Sequence, residues 1–264
     1  RPRPSPHGHP RISASDTPMT TPEVSSATPS LATPDTFLLD GRPILFTPGQ
    51  TLMQAAQAAG VYIPHLCHHA DFDPIGSCKV CSVRIQGRTV ASCTMPARAG
   101  LVVESETPEL HHDRQRLTQM LFVEGNHHCP FCEKSGACHL QAVAYHLDMQ
   151  DTHFVHTAPH HEVDATHPDV WLDRSRCILC ELCVRASREV DGKDVFAIGG
   201  RGAHTTLLVN SPSGQLHDSD VAVTDRAVHI CPVGALMPKR QGFVIPIGQR
   251  PYDAADIAQR PEDS

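Results

Sequence analysis

The sequence predicts an α+β protein in which a small mixed sheet with one helix comes first and a mostly helical part follows. Alternating apolar residues separated by turn signals mark the early part, beginning near residue 37. Apolar residues at helical spacing mark the later part, where cysteine-rich loops separate the helices. All eleven cysteines fall into three groups, which predicts that bound metal organises both parts.

The predicted sheet begins with a hairpin. Residues 37–46 place two short apolar strands on either side of Asp40 and Gly41, a pair that suits a tight turn. Residues 51–59 are rich in Ala and Gln and end before a glycine, which predicts a capped helix. A hairpin followed by a helix is how a β-grasp fold begins. We therefore predict a β-grasp domain over 37–107, with further strands at 82–86, 90–93 and 101–104.

Three helices are predicted in the later part from the spacing of apolar residues. Each helix borders a cysteine-rich loop, so we predict two further domains, at 108–165 and 166–252. The helices span 109–124, 138–147 and 181–190, and weaker strand signals lie at 196–198 and 207–209.

Both ends of the chain are predicted to be tails. Residues 1–36 are dominated by Pro, Ser, Thr and Ala, so ordering them would cost entropy without burying apolar surface. We expect a disordered tail there and a short C-terminal tail at 253–264.

Composition excludes several classes of function. The net charge is -7, and the Lys and Arg residues are scattered, which argues against nucleic-acid binding. No stretch has the length and apolarity of a membrane helix or a signal peptide, so we expect a cytoplasmic protein. Aromatic residues make up only 5% of the chain, so metal binding should contribute to folding.

The three cysteine groups supply four, three and four thiols. An odd number of cysteines cannot all pair within one chain, which disfavours disulfides. Zinc remains an alternative, because four cysteines or three cysteines and one histidine also make closed zinc sites. The groups are Cys67, Cys78, Cys81 and Cys93; Cys129, Cys132 and Cys138; and Cys177, Cys180, Cys183 and Cys231.

The third group has the spacing of a cubane cluster. Its first three cysteines form a continuous Cys-x2-Cys-x2-Cys run, and the distant Cys231 is followed by Pro232, as in bacterial ferredoxins. Ser187 stands where those ferredoxins have a fourth cysteine for a second cluster. The run therefore predicts one [4Fe-4S] cluster.

The first group is similar to the plant-type [2Fe-2S] pattern, except that ten residues rather than four separate its first two cysteines. Gly76 and Ser77 precede Cys78, and small residues let backbone N–H groups approach cluster sulfurs. This group predicts a [2Fe-2S] cluster in a longer loop.

The middle group lacks a fourth thiol. His127 and His128 directly precede Cys129, so one imidazole is predicted to complete a [4Fe-4S] site. The adjacent His128 would have difficulty reaching a different iron, which favours His127. The other histidines, together with Tyr145 and Trp171, are assigned no function.

Three sequence motifs resemble a known family. Residues 124–141, 61–64 and 231–234 read EGNHHCPFCEKSGACHLQ, VYIP and CPVG. They are similar to the iron–sulfur diaphorase subunit (HoxU) of soluble NAD-reducing nickel–iron hydrogenase, over residues 37–252. The arrangement also resembles the N-terminal part of the large iron–sulfur subunit of respiratory complex I.

The resemblance implies an electron relay of one [2Fe-2S] and two [4Fe-4S] clusters. It implies partners: the hydrogenase small and large subunits and a subunit that binds FMN and NAD. FMN, NAD and the NiFe site are expected only on those partners, and no residue here is expected to be catalytic. The short glycine run 199–202 does not match a dinucleotide-binding motif. The enzyme class implied is hydrogen dehydrogenase, an oxidoreductase.

The two related families differ in the position of the histidine ligand. In the complex I relatives it lies four residues before the first cysteine of its cluster, where this chain has Gly125. The hydrogenase family places it in an Asn-His-x-Cys motif, which here is Asn126-His127-His128-Cys129 and selects His127.

Two alternatives to the hydrogenase relay stay open at the level of sequence. The same module could serve an NAD-linked formate dehydrogenase or a complex I-type enzyme, although such subunits usually continue into a large molybdopterin-type domain, which is not found before Ser264. A zinc-dependent scaffold is the second alternative.

Overall fold

The computed structural model describes residues 35–157 and 160–260. Residues 1–34 of the tail predicted at 1–36 lie outside the described residues. Thr36 already belongs to the first strand.

The predicted N-terminal hairpin is confirmed. Strands β1 (Thr36–Leu39) and β2 (Arg42–Leu45) pair antiparallel. The two residues between them, Asp40 and Gly41, have φ angles of 49° and 79°. Positive φ at both central positions is the type I′ geometry that matches the twist of a two-residue hairpin.

Five strands form the predicted mixed sheet, in the order β2-β1-β5-β3-β4. Strand β5 runs parallel to β1 and antiparallel to β3, which places it at the centre. A second tight turn, at Gln86 and Gly87, joins β3 to β4 with the same pair of positive φ angles. The remaining strands are β3 (Ser82–Ile85), β4 (Arg88–Ala91) and β5 (Val102–Glu104).

Helix α1 (Leu52–Ala58) covers one face of this sheet. Thr51 and Gln54 form a capping box at its start, where each side chain accepts a hydrogen bond from the other residue's backbone N–H. Its apolar face packs into the core of the sheet, which includes Leu52, Met53, Phe37, Ile44, Val83 and Val103.

Helix α2 (Pro108–Glu124) leaves the sheet and is tied to it by a buried arginine. Thr107 caps its first turn. The Arg114 side chain is 1% exposed and donates hydrogen bonds to the Ser82 carbonyl and the Ser105 hydroxyl, each at 2.9 Å. Glu106 lies 3.5 Å from the same guanidinium. The helix therefore docks through a charged group as well as through apolar contacts.

The later part contains the predicted helices together with two small sheets. Strand β6 pairs with β9, and β7 pairs with β8, both antiparallel. The predicted strands 196–198 and 207–209 are confirmed as β7 and β8, whereas β6, β9 and the short helix α5 were not predicted. The elements are α3 (His139–His146), β6 (Val170–Leu172), α4 (Leu182–Glu189), β7 (Phe196–Gly199), β8 (Thr206–Val209), α5 (Arg226–His229) and β9 (Leu236–Pro238).

Short 3₁₀ helices connect these elements, and Cys129 lies in the first of them. They span Cys129–Phe131, Arg174–Arg176, Gly202–His204, Leu216–Asp218 and Ile257–Gln259.

One hydrophobic core extends through the whole later part. It contains residues from both segments predicted as separate cysteine domains, so the boundaries at 108–165 and 166–252 stay predictions. Leu66, Phe72 and Val80, from the loop between α1 and β3, also belong to this core. Ile257, in the segment predicted as a C-terminal tail, is 6% exposed and packs there too.

Among the helices of the described segments, none is both long and apolar enough to cross a bilayer.

Replacing Arg114 by alanine tests the docking of α2. The change leaves two buried oxygen atoms without their donor, and each such loss costs about 1–3 kcal/mol, so we expect the free energy of unfolding to fall by about 2–5 kcal/mol. Arg116→Ala is the control, because Arg116 is exposed and donates a hydrogen bond to His112 in the preceding turn, so its effect should stay within about 0.5 kcal/mol. Denaturant unfolding of the metal-loaded chain measures both. Equal losses would show that Arg114 is not an anchor.

Candidate metal centres

The first cysteine group comes together at the edge of the mixed sheet. Cys67, Cys78 and Cys81 lie on the loop between α1 and β3, and Cys93 follows β4. The backbone N–H of Cys78 lies 3.5 Å from the Cys67 Sγ, and the Sγ atoms of Cys81 and Cys93 lie 3.4 Å apart. Thiols of one pair repel thiols of the other pair electrostatically, so the two pairs lie near each other. The structure therefore brings all four predicted residues to one site.

Hydrogen bonds prepare two of these thiols for ionisation. The bond with Cys78, with further bonds from Ser77, lowers the pKa of Cys67 to about 5. The bond with Cys93 lowers the pKa of Cys81 to about 6. The pKa values of Cys78 and Cys93 are raised, because each supplies the proton to its pair. Thiolate is the form that binds metal, so the site offers two ready donors at neutral pH.

The backbone of this loop bends in ways that favour glycine. Gly76 has a φ of 64°, and a Cβ there would stand 2.9 Å from the Thr94 Cγ2. Lys79, between two of the cysteines, has a φ of 59°. Left-handed residues in such loops turn successive N–H groups toward one point, which creates a concavity for an anion.

The third group surrounds one cavity. Cys177 follows the 3₁₀ helix Arg174–Arg176, Cys183 lies in the first turn of α4, and Cys231 follows α5. All four thiols of the group line this cavity, together with the apolar side chains of Ile198, Leu207, Val233 and Leu236.

Burial keeps Cys177, Cys180 and Cys183 protonated when their thiols are free. It raises the pKa of Cys177 to about 12 and holds the pKa values of Cys180 and Cys183 well above the ordinary range. A metal ion deprotonates a coordinating thiol outright, so these groups would ionise on binding metal.

Two residues within the third run have strained backbones. Leu179 and Glu181 have φ angles of 53° and 61°, which cost about 1–3 kcal/mol each outside glycine. The conformation directs the Leu179 N–H toward the Cys177 Sγ at 3.4 Å. Strain of this kind is found where a loop must wrap a bound group.

The middle group lies at the start of α3. Cys129 begins the 3₁₀ helix Cys129–Phe131, Cys132 ends it, and Cys138 caps α3. Burial, with repulsion from the other two thiols, raises the pKa of Cys138 to about 12. The three thiols therefore share one electrostatic environment.

Of the two neighbouring histidines, only His127 is enclosed. Burial lowers its pKa to about 4, and its Nε2 atom is buried with no hydrogen-bond partner among the described residues. His128 is exposed and stacks on His156 at 6.4 Å between ring centroids. A neutral, buried imidazole with an unpaired nitrogen is the form that ligates metal.

Gly125 makes room for the ring of His127. A Cβ on residue 125 would stand 2.4 Å from the His127 Nε2. The tip of the His127 ring therefore occupies the place where a side chain at position 125 would begin.

A buried arginine, which sequence reasoning missed, joins the first and third groups. Arg185 on α4 donates hydrogen bonds to the carbonyl oxygens of Cys67, at 2.9 Å, and Asp73, at 2.8 Å. Its guanidinium also lies 3.4 Å from the Cys180 carbonyl oxygen and packs over the Phe72 ring. The sequence does give one indication that this arginine is buried, because it lies between apolar residues on a helix that starts inside the cysteine run.

Among residues 35–157 and 160–260, no group of three or more His, Cys, Asp or Glu side chains stands in position to hold a single metal ion. Zinc and iron–sulfur clusters both bind thiolates, so the choice between them rests on the spacing of the cysteines and on comparison with known proteins.

Three family models match successive parts of the chain. A 2Fe-2S iron-sulfur cluster binding domain matches residues 32–108. The iron-sulfur binding region of NADH-ubiquinone oxidoreductase-G matches 114–153, and a 4Fe-4S single cluster domain matches 170–237. The order of the models is that of the three cysteine groups.

A relative of similar length decides the family. The gamma subunit of the NAD-reducing hydrogenase HoxS from Cupriavidus necator is 40% identical over 223 residues, which cover 84% of this chain and 94% of the relative. The chain belongs to the family of NAD-reducing hydrogenase gamma subunits. The resemblance seen in the sequence is thus confirmed, and this gamma-subunit homologue is an iron–sulfur electron-transfer subunit of an oxidoreductase.

A solved structure agrees with this membership. One chain of the crystal structure of an NAD+-reducing [NiFe]-hydrogenase in the H2-reduced state has a TM-score of 0.81 and 54% identity to this chain. The match covers 83% of this chain and 93% of that one.

The complex I relatives match this chain over only part of their length. The G subunit of NADH-quinone oxidoreductase from Rickettsia prowazekii is 32% identical over 209 residues. The match covers 78% of this chain but only 30% of the relative.

Gly125→Ala tests whether the packing of His127 matters to the middle site. The added methyl group would meet the imidazole at 2.4 Å, so the ring must move away from its present position. The backbone at 125 is extended, so its dihedral angles suit alanine, although the methyl group would also stand 3.1 Å from the Ser175 carbonyl oxygen. We expect the purified chain to lose the metal of the middle site only. The spectrum of the first centre is the internal control, and full iron content would show that the ring position is unimportant.

Proposed function

We propose that the chain relays electrons through three iron–sulfur clusters between a [NiFe] hydrogenase module and a diaphorase subunit that binds FMN and NAD. The overall reaction of the complex would be H2 + NAD+ = NADH + H+. The proposal is carried by one observation, the grouping of the chain's cysteines at three sites in a member of the gamma-subunit family. No residue of this chain is proposed to be catalytic, and FMN, NAD and the NiFe site are assigned to partner subunits.

Each proposed cluster is assigned its own ligands. The [2Fe-2S] cluster would lie in the N-terminal β-grasp domain, and the two [4Fe-4S] clusters in the later part. The donor chemistry fits, because thiolates and one neutral imidazole are established iron–sulfur ligands. The assignments are Cys67, Cys78, Cys81 and Cys93 for [2Fe-2S]; His127, Cys129, Cys132 and Cys138 for one [4Fe-4S]; and Cys177, Cys180, Cys183 and Cys231 for the other.

The choice of His127 rests on burial and on the neighbouring glycine. Its Nε2 is enclosed without a hydrogen-bond partner in the described part of the chain, whereas His128 faces solvent. The tip of the His127 ring stands where a side chain on Gly125 would begin. In the complex I relatives the histidine ligand is at that earlier position, four residues before the cysteine, so the imidazole of His127 can reach the same site.

The protein's own task would be to hold the clusters and set their potentials. When bound, the clusters supply one-electron carriers. Apolar side chains exclude water from the third site, and N–H groups directed at sulfur, such as that of Leu179, stabilise negative charge there. These factors determine at which potential each site accepts an electron.

Two alternatives are weaker. An NAD-linked formate dehydrogenase or complex I-type enzyme could use the same module, but the match covers only 30% of the Rickettsia complex I relative, against 94% of the hydrogenase relative. A zinc scaffold is disfavoured by the matches to 2Fe-2S and 4Fe-4S domain models. The cytoplasmic location stays a prediction.

The first test is metal content and activity. The ligand count calls for about ten irons and about ten acid-labile sulfides per chain, with zinc near zero. The chain alone should not reduce NAD+ with hydrogen, because the relay needs partners at both ends, and activity should appear only in the assembled complex. Metal analysis and hydrogen-dependent NADH formation check both points. Stoichiometric zinc in anaerobically purified, colourless protein would contradict the proposal.

The second test separates the two histidines. His127→Ala should remove only the middle cluster, because the other two sites each have four thiols. His128→Ala is the matched control and should be mild, since that ring is exposed. His127→Cys should rebuild the cluster at a lower potential, because an added thiolate makes it more negative. Electron paramagnetic resonance during reductive titration distinguishes the variants, and loss of the signal in His128→Ala alone would reverse the assignment.

A further inference from the structure

Arg176 connects the middle and third cysteine groups. It directly precedes Cys177, at the end of the 3₁₀ helix Arg174–Arg176, yet its guanidinium reaches the middle group. Nη1 lies 3.7 Å from the Cys132 Sγ, within reach of an N–H···S hydrogen bond, and 2.6 Å from the Glu133 Oε2. One side chain is thus adjacent to a thiol of the third group and in contact with a thiol of the second.

The surroundings of Arg176 hold its guanidinium in place. Nε pairs with the Asp173 Oδ2 at 2.9 Å, and the Trp171 ring lies 5.1 Å from the guanidinium carbon. The side chain is only 15% exposed. Two carboxylates and an aromatic face therefore fix the direction in which its N–H groups point.

Gly234 permits the close approach of these groups. It belongs to the Cys-Pro-Val-Gly motif that begins at Cys231, and a Cβ there would stand 2.9 Å from the Cys132 Sγ and 3.5 Å from the Arg176 Nη1. Residues adjoining the third group therefore flank Cys132 on two sides.

A positively charged donor on a ligand sulfur has a definite electrostatic effect. It stabilises negative charge on the sulfur, and the reduced form of a cluster carries one more negative charge than the oxidised form. Removing the donor would leave the carboxylates of Glu133 and Asp173 uncompensated beside Cys132. Both effects have the same sign, because each makes reduction harder when Arg176 is neutralised.

We propose that Arg176 is a positioning residue that raises the reduction potential of the middle cluster through its hydrogen bond to Cys132. The inference rests on the proposed function, because it requires Cys132 to be a cluster ligand. The neutral imidazole of His127 would act in the same direction, since replacing thiolate by imidazole also raises the potential. A residue that adjoins the third cysteine group thereby helps to set the reduction potential of the middle cluster.

The test is a redox titration of the intact complex, followed by electron paramagnetic resonance. The signal of the middle cluster is identified by its loss in His127→Ala. Arg176→Gln should move the midpoint potential of this cluster to a lower value, and Glu133→Gln should move it to a higher value, because the two substitutions remove opposite charges. Arg176→Lys keeps the charge and should give a smaller downward shift than Arg176→Gln.

Arg174→Gln is the matched control for the middle cluster. Arg174 lies on the same 3₁₀ helix but donates to the Leu207 carbonyl oxygen, at 2.9 Å, so the potential of the middle cluster should not change. If the Arg176→Gln variant loses iron, the test uses Arg176→Lys and Glu133→Gln instead. The proposal then requires that these two variants shift the midpoint potential of the middle cluster in opposite directions. Unchanged potentials at full iron content, or equal shifts in all three clusters, would overturn it. Absence of a middle-cluster signal from the unmodified complex would instead contradict the proposed function.

Discussion

The arrangement of the cysteine loops depends on the buried guanidinium of Arg185. It donates hydrogen bonds to the carbonyl oxygens of Cys67 and Asp73 on the first cysteine loop, and it lies beside the carbonyl oxygen of Cys180 on the third cysteine loop. These acceptors are neutral, so the cation is not compensated by them, and a buried charge is costly without a counter-charge. In the proposed loaded state, the anionic clusters held by the first and third cysteine groups would compensate it. The same residue would then align the two sites and gain stability from their charge.

Cysteines form a substantial part of the interior. Cys138, Cys180, Cys183 and Cys231 are all buried in the large core of the later part. Burial raises the pKa values of Cys138, Cys180 and Cys183, so ionisation of these three thiols without a metal is unfavourable. We therefore expect folding and metal binding to be coupled, because Cys180 and Cys231 lie on loops and Cys138 and Cys183 lie at the starts of short helices.

The local elements could be predicted from sequence, whereas the long-range contacts could not. The Asp40-Gly41 turn and the glycine after α1 are local signals, and both give the expected structure. Strands β6 and β9 have three residues each and are far apart in the chain, so neither shows a periodic pattern. Arg114 and Arg185 carry charges, which ordinarily indicate exposure, yet both are buried. Spacing grouped the cysteines and already favoured His127, and the burial of its ring supports the same choice.

The pairing of Arg185 with Cys67 also has a consequence for synthesis on the ribosome. The two residues are 118 positions apart. At about 5–20 residues per second, translation needs on the order of ten seconds to pass from one to the other. The mixed sheet is complete at Glu104, well before α4 emerges, so the nascent chain carries a formed sheet beside an unclosed loop. During that interval the thiols of the first loop remain open both to oxidation and to delivery of iron and sulfide.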